Sequence, residues 1–163
     1  MGTAGLGDGN VTPVAEFNIW QDAEAAKIVT ESGLDNIIFV GWDACLGDCM
    51  LNPKEIKEIR ESGKLGKFVI DCNKNLLEMN RERFGDDYLD MADPSAMSAA
   101  LYPECIEKCE KYYCEVDVSA GPSYGAVLVD VNNVTGKEPN VYICSKLYAD
   151  KYKEYIYRTL KVK

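Results

Sequence analysis

The segment GNVTPVAEFNIW, residues 9–20, places three polar side chains among apolar and aromatic neighbours. Asn10, Glu16 and Asn18 follow one another at intervals of six and two residues. Burying a carboxylate or an amide is costly unless the group finds hydrogen-bond partners. We therefore expect this run either to tie a loop together or to face a ligand.

Periodic segments follow this run in the order expected of an α/β protein. Residues 22–32 predict a helix that begins near Asp22 and ends at Gly33, and residues 36–42 predict a strand buried on both faces. Asn52 begins an N-terminal capping sequence with a proline next to it and an acid three residues on, which predicts a helix through Arg60.

The second half of the chain continues the alternation of helices and strands. Residues 67–83 predict a helix that Gly85 ends, and Asp93 followed by Pro94 predicts an N-cap and the first position of another helix. Three strand-like pieces cover residues 112–120, 126–131 and 140–145, and a final helix covers 146–160.

Composition limits the classes of function that fit. The 163 residues are 47% hydrophobic and carry a formal net charge of −9, so a nucleic-acid polymer is a poor partner. No apolar run reaches the roughly 20 residues that span a bilayer, and the first ten residues lack the features of a signal peptide. We expect a soluble, cytoplasmic protein.

Seven cysteines stand in a chain without histidine. A zinc site would need cysteine ligands alone, at spacings that differ from the usual pairs. We expect reduced, mostly buried thiols that pack as small hydrophobic groups. A thiol-based metal or redox protein is the weaker alternative.

The first ten residues, MGTAGLGDGN, are rich in glycine, aspartate and asparagine, which favour turns. An α/β sheet normally has central strands before such a loop. The pattern predicts that the chain starts in the middle of a domain.

The segment GNVTPVAEFNIWQDAEAA, residues 9–26, closely resembles the central signature of the inosine-uridine preferring nucleoside hydrolases. Members read Gly-Asn-Val-Thr-Pro-Val-Ala-Glu-Phe-Asn, followed by Asp-Pro-Glu-Ala-Ala. Looser similarity covers NIIFVGWDACLGD (36–48), DMADPSAMSAAL (90–101) and VDVSAGPSYGAVLVD (116–130). The resemblance implies a three-layer α/β fold with a mostly parallel sheet, in which residues 1–163 form the C-terminal portion of one domain that lacks its N-terminal half.

The resemblance also implies a function, hydrolysis of the N-glycosidic bond of ribonucleosides in purine and pyrimidine salvage, with Ca²⁺ holding the water and the ribose diol. Asn10 and Glu16 match residues that bind the 5′-hydroxyl, and Asn18 matches one on the 2′-hydroxyl side. Phe17 matches an aromatic residue beside the ribose. Asp93 matches a calcium ligand that also contacts the diol. Such chemistry needs groups that orient the sugar, place a water and stabilise an oxocarbenium-like state.

Each of these residues also has a purely structural interpretation. Asp93 is an ordinary helix cap, and we expect it to serve as cap and ligand together. Glu16, Asn18 and Asn10 suit a loop or turn, and Phe17 suits a core. Asp43 follows a strand and is left outside the predicted site.

The sequence departs from the family pattern at several points. The Asp-rich motif that supplies most calcium ligands and the catalytic base is absent, and Ala92 stands where members have a histidine or a tryptophan. Tyr124 replaces an arginine, so base preference stays open. An alternative function is therefore a noncatalytic remnant that binds a sugar or a partner. We also expect association with a second copy or with the missing half, since a half-domain exposes edges and apolar surface.

Overall fold

The structure, a computed structural model, describes residues 1–162. The helices in that range are α1 (Phe17–Gln21), α2 (Ala23–Thr30), α3 (Pro53–Glu61), α4 (Lys64–Cys72), α5 (Lys74–Phe84), α6 (Ala92–Leu101) and α7 (Ala149–Leu160). The strands are β1 (Ile38–Val40), β2 (Ile106–Tyr112), β3 (Cys114–Val116), β4 (Val127–Val129) and β5 (Val141–Leu147). Short 3-10 helices cover Trp42–Cys45, Gly47–Cys49 and Pro103–Cys105.

Strand β5 lies at the centre of a three-stranded sheet. It pairs parallel with β1 and antiparallel with β2, and Tyr112 lies opposite Val141. The expectation of a mostly parallel sheet is therefore wrong for residues 1–162, where the sheet is mixed. The chain leaves β2 at Tyr112, turns back through the antiparallel pair β3–β4, and enters β5 at Val141, which lies opposite Tyr112. Strand β5 therefore runs antiparallel to β2.

Both faces of the sheet are covered. Val141 and Ile143 of β5 pack on the side of the β3–β4 pair. Cys144 and Leu147 belong to the largest core, together with the fully buried Tyr152 of α7. Ile19, Ala23 and Val116 form a smaller cluster that joins α1 and α2 to β3. The result is three layers, with the β3–β4 pair and the first two helices on the side opposite the larger helices.

Helix ends set by local chemistry fall where the sequence predicts them. Asn52 and Glu55 form a reciprocal capping box at the start of α3, and Asp22 accepts the backbone N–H of Ala25 at the start of α2. Gly85 ends α5 with φ of 81°, a left-handed conformation that suits glycine. These interactions span only three or four residues, so both partners of each can be identified from a short segment of the sequence.

The predicted helix over residues 67–83 is instead two helices, α4 and α5, which meet at Asn73. The side chain of Asn73 donates to the carbonyl oxygen of Val69 at 2.8 Å. Asparagine side chains compete in this way with the backbone bonds of a helix, which explains the break. The final helix begins at Ala149, because β5 continues to Leu147.

Helix α6 begins two residues earlier than predicted, and Asp93 is not its cap. Met91 is the N-cap residue, no side chain caps the helix, and Asp93 is the second helical residue. A proline is tolerated anywhere in the first turn, where the N–H groups have no intrahelical partner, so Pro94 did not fix the start. The prediction of cap and ligand together is wrong in its first part.

Helix α1 and most of strand β2 were not predicted from the sequence. Strand β2 reads IEKCEKY and lies at an edge of the sheet, where charged residues are common and the apolar signal is weak. Of the helices in residues 1–162, none is long and apolar enough to cross a membrane.

Candidate functional site

A cavity of about 320 Å³ opens beside the residues that follow β1. Its walls include all five residues that the sequence predicts for the substrate. The lining residues are Met1, Asn10, Glu16, Phe17, Asn18, Trp42, Asn73, Leu76, Asp90, Met91, Ala92, Asp93 and Pro94. Side chains from the N-terminal loop, from α1 and from the start of α6 thus converge on one space, as expected for a ligand site at the end of sheet strands.

Glu16 is a buried carboxylate at the edge of this cavity, with only 3% of its surface exposed. It is the N-cap of α1, and its Oε2 accepts the backbone N–H of Asn18 at 2.9 Å. Burial raises the pKa of Glu16, while hydrogen bonds from the backbone of Asn18 and Ile19 and from the side chain of Asn10 lower it. The carboxylate is therefore a strong, oriented acceptor that a ligand hydroxyl can reach.

Asn10 connects the loop to α1. Its Oδ1 accepts the backbone N–H of Phe17 at 2.9 Å, and its own N–H donates to the carbonyl oxygen of Ala15 at 3.1 Å. The loop is tight at Gly9, where an added Cβ would lie 2.2 Å from the carbonyl oxygen of Thr12. Asn10 and Glu16 thus tie the loop together and also line the cavity.

Phe17 and Asn18 are the exposed members of the set. Half of the surface of Phe17 is open, which is unusual for a core phenylalanine and leaves its ring free to contact a ligand. The side-chain amide of Asn18 donates to the sulfur of Met1 at 3.1 Å. Both residues take their position from α1, which Glu16 begins.

Asp93 lies in the first turn of α6 and its carboxylate is not used as a cap. The N-terminal end of a helix favours negative charge and a carboxylate there is free to bind a cation or a hydroxyl. Within residues 1–162, however, no group of three or more histidine, cysteine, aspartate or glutamate side chains is placed to hold a metal ion. Asp93 can supply one ligand but does not make a metal site with its neighbours.

A buried polar network that sequence reasoning missed lies on the other side of the cavity. The Oδ2 atom of Asp90 accepts the indole N–H of Trp42 at 2.8 Å, and its Oδ1 atom accepts the amide of Asn80 at 2.6 Å. Asn80 also donates to the carbonyl oxygen of Tyr88 at 3.0 Å. The signal was an acid inside the segment DMADPSAMSAAL, three residues before Asp93, but its partners are remote in sequence.

Asp43, which the sequence analysis left outside the site, does not line this cavity. Its Oδ2 atom accepts the backbone N–H of Leu6 at 2.9 Å, and its Oδ1 atom is buried without a hydrogen-bond partner within the described chain. Burial raises the pKa of Asp43, while the backbone N–H groups of Leu6 and Ala44 lower it. Asp43 holds the N-terminal loop against the end of β1.

All seven cysteines are free thiols, and five of them are buried. Burial raises the pKa of Cys49 to about 11. It raises the pKa of Cys114 and of Cys144 to about 12. Thiols of this kind stay protonated and unreactive, which favours packing over redox chemistry.

Comparison with known proteins gives a consistent result. A model of the family described as inosine-uridine preferring nucleoside hydrolase matches residues 1–154. The pyrimidine-specific ribonucleoside hydrolase RihB of Escherichia coli is 34% identical over 144 residues, which make up 88% of this chain and 45% of that protein.

Solved structures agree with the sequence match. The purine-preferring ribonucleoside hydrolase from Gardnerella vaginalis superposes with a TM-score of 0.82 at 27% identity, over 99% of this chain and 51% of its own. A plant nucleoside hydrolase superposes with a TM-score of 0.86 at 24% identity, over 99% of this chain and 52% of its own. At that identity the likeness supports the fold alone. The chain spans about half the length of these relatives. The matches confirm the predicted family and the α/β fold.

Proposed function

Because the chain belongs to the inosine-uridine preferring nucleoside hydrolase family, we propose that it serves the hydrolysis of ribonucleosides to ribose and free base. One observation carries the proposal. Asn10, Glu16, Phe17, Asn18 and Asp93 come from three separate segments and line a single cavity of a size that suits a ribose. We further propose that residues 1–163 form part of one domain of this type, acting in the cytoplasm.

We assign a different side chain of the cavity to each part of the ribose. Glu16 accepts a hydrogen bond from the 5′-hydroxyl, and Asn10, which is bonded to both Phe17 and Glu16, contributes its amide to the same hydroxyl. Asn18 faces the 2′-hydroxyl side, and the ring of Phe17 covers the sugar. Asp93 accepts from the diol.

The same groups favour bond cleavage once the sugar is in place. Departure of the base leaves positive charge on the ribose ring, and carboxylates near that charge stabilise the transition state more than the ground state. Ala92 carries no group that can donate a proton to the leaving base. Activation of the leaving group must therefore come from another residue.

Calcium is the metal that we propose for the complete site, with Asp93 as one ligand. Calcium takes about six to eight oxygens in proteins, and Asp93 supplies one carboxylate. The residues described here do not complete such a shell. No step of catalysis is therefore assigned to the ion from these residues alone.

A second function fits the same observation, binding of a ribose or a partner without turnover. Its support is the absence, within residues 1–162, of a carboxylate cluster that could hold a metal. Exposed apolar side chains on α4 and α6, among them Phe68, Met97 and Leu101, favour association with a second copy or with a segment that carries the Asp-rich motif.

Release of free ribose from inosine and uridine, with and without calcium, separates the two functions. We expect the 163-residue chain to release no ribose by itself. We expect release of ribose when the chain is joined to the first half of the E. coli relative. Asp93→Ala in the joined protein should abolish release. Calcium-dependent release by the isolated chain, lost in Asp93→Ala, would show instead that the site is complete without any further segment.

A further inference from the structure

A second cavity, of about 650 Å³, adjoins the proposed ribose site along α5. The two cavities share Asn10, Phe17, Trp42, Leu76 and Asp90. The remaining walls of the second cavity are Val11, Met79, Asn80, Glu82 and Arg83. A ribose held in the first cavity, as the proposed function requires, would direct its base past the shared residues.

The shared residues provide a setting that suits a flat base. Phe17 and Leu76 offer apolar surface. The guanidinium of Arg83 lies 4.7 Å from the ring centroid of Trp42, so it covers that ring as a cation–π partner. Asp90 is then the charged acceptor that the two cavities have in common.

Asp90 has spare hydrogen-bonding capacity. A carboxylate offers about four lone-pair positions, and hydrogen bonds from Trp42 and Asn80 use only two of those on Asp90. The side chain is 6% exposed, and within residues 1–162 it takes part in no ion pair. A buried carboxylate in this state favours a ligand N–H over a ligand oxygen.

We propose that Asp90 is a specificity-determining residue that accepts a hydrogen bond from the exocyclic amino group of the base. Aspartate accepts from the amino group of cytosine in nucleic-acid recognition, and the amino group of adenine offers the same donor. Uracil and hypoxanthine place a carbonyl oxygen at the corresponding position, which a carboxylate repels. The site therefore prefers cytidine to uridine and adenosine to inosine.

Calorimetric titration of the 163-residue chain with these four nucleosides and with free ribose tests the proposal. A hydrogen bond to a charged group contributes about 1.5 to 3 kcal/mol, so each amino nucleoside should bind about tenfold more tightly or better than its keto partner. Asp90→Asn should remove or reverse this preference, because an amide can also donate. Asp35→Asn, the same change at an exposed loop residue, should leave it intact.

The outcomes separate this inference from the proposed function. Equal affinities of the wild-type chain for cytidine and uridine overturn the role of Asp90, with no variant needed, provided that free ribose still binds. Failure of ribose and of all four nucleosides to bind overturns the proposed function. A preference that persists in a folded Asp90→Asn, checked by circular dichroism, assigns the selection to another group and also overturns the inference.

Discussion

The two sides of the cavity are held in place by contacts of different range. On the ribose side, Asn10 bonds to Phe17 and Glu16 bonds to Asn18, across seven and two residues of the chain. On the base side, Asp90 bonds to Trp42 across 48 residues and to Asn80 across ten. Apart from Asp93, which α6 brings from a distant part of the chain, the ribose side is thus built by local structure. The base side exists only when α5, the turn after β1 and the segment before α6 are packed together.

This difference has a physical consequence for evolution and for stability. A local set of contacts keeps its geometry as long as its own segment keeps its sequence. A set assembled from distant segments depends on the core between them, and on every group in it finding a partner. We therefore expect substitutions on the base side to cost more stability than substitutions of similar size on the ribose side.

The largest effect should come from Trp42→Ala. Trp42 is buried, its indole N–H holds Asp90, and its ring lies under Arg83. Removing a buried aromatic side chain from a core costs about 3 to 5 kcal/mol. Urea denaturation should show that loss in the free energy of unfolding. A loss below about 1 kcal/mol, within the range of ordinary surface changes and mild mutations, would mean that Trp42 does not hold the base side together.

A smaller loss should follow Asn80→Ala. Asn80 donates both to Asp90 and to the carbonyl oxygen of Tyr88, so its removal leaves one buried and one partly buried acceptor without that donor. Unsatisfied buried groups cost about 1 to 3 kcal/mol. Asn75→Ala, the same change at an exposed position of the same helix, is the matched control for denaturation. Equal losses in both variants would contradict the role of the network.

The smallest effect concerns pH on the ribose side. Burial raises the pKa of Glu16 in the folded chain above its ordinary value of 4.5. The folded chain therefore binds the proton of Glu16 more tightly than the unfolded chain does. This contribution to the free energy of unfolding is complete below pH 4.5 and is lost as pH rises through the pKa of Glu16 in the folded chain. Denaturation of wild type and of Glu16→Gln at successive pH values above 4.5 should show a steeper decline in the free energy of unfolding for wild type than for the variant.

Asp43 also has a raised pKa and contributes to the same decline in both proteins. The difference between wild type and Glu16→Gln isolates Glu16 for that reason. Parallel pH profiles for the two proteins would show that the carboxylate of Glu16 is solvated as well in the folded chain as in the unfolded one.

The contrast in range also explains which features could be predicted from the sequence. The cap at Asp22, the capping box of Asn52 and Glu55, and the end of α5 at Gly85 rest on neighbours within a few residues. The convergence of Asn10, Glu16 and Asn18 follows from one continuous motif. The helix ends were predicted correctly because their causes lie within the segment itself.

Other features depend on contacts that cannot be predicted from a short segment of the sequence. The break at Asn73 is decided by whether a side-chain amide turns back to Val69, and Asp93 lies inside α6 because a proline suits several positions of a first turn. Asp90 was overlooked because both Trp42 and Asn80 must be known before its burial makes sense. The antiparallel β2 is an edge strand whose charged residues hide it. Sequence patterns alone leave each of these open.

The packing around Asp43 limits the order in which mutations can be accepted. A Cβ added at Gly5 would lie 2.0 Å from the Oδ1 atom of Asp43, and one added at Gly41 would lie 2.3 Å from the same atom. Asp43 therefore makes two glycine positions, 36 residues apart in the chain, dependent on one carboxylate. In terms of epistasis, a larger residue at position 41 first requires a smaller residue at position 43, and it also requires a shift of the Gly5 backbone, whose Cα would lie 2.7 Å from the added Cβ. That first step removes the acceptor that holds Leu6, so the route passes through a chain whose N-terminal loop is loosened.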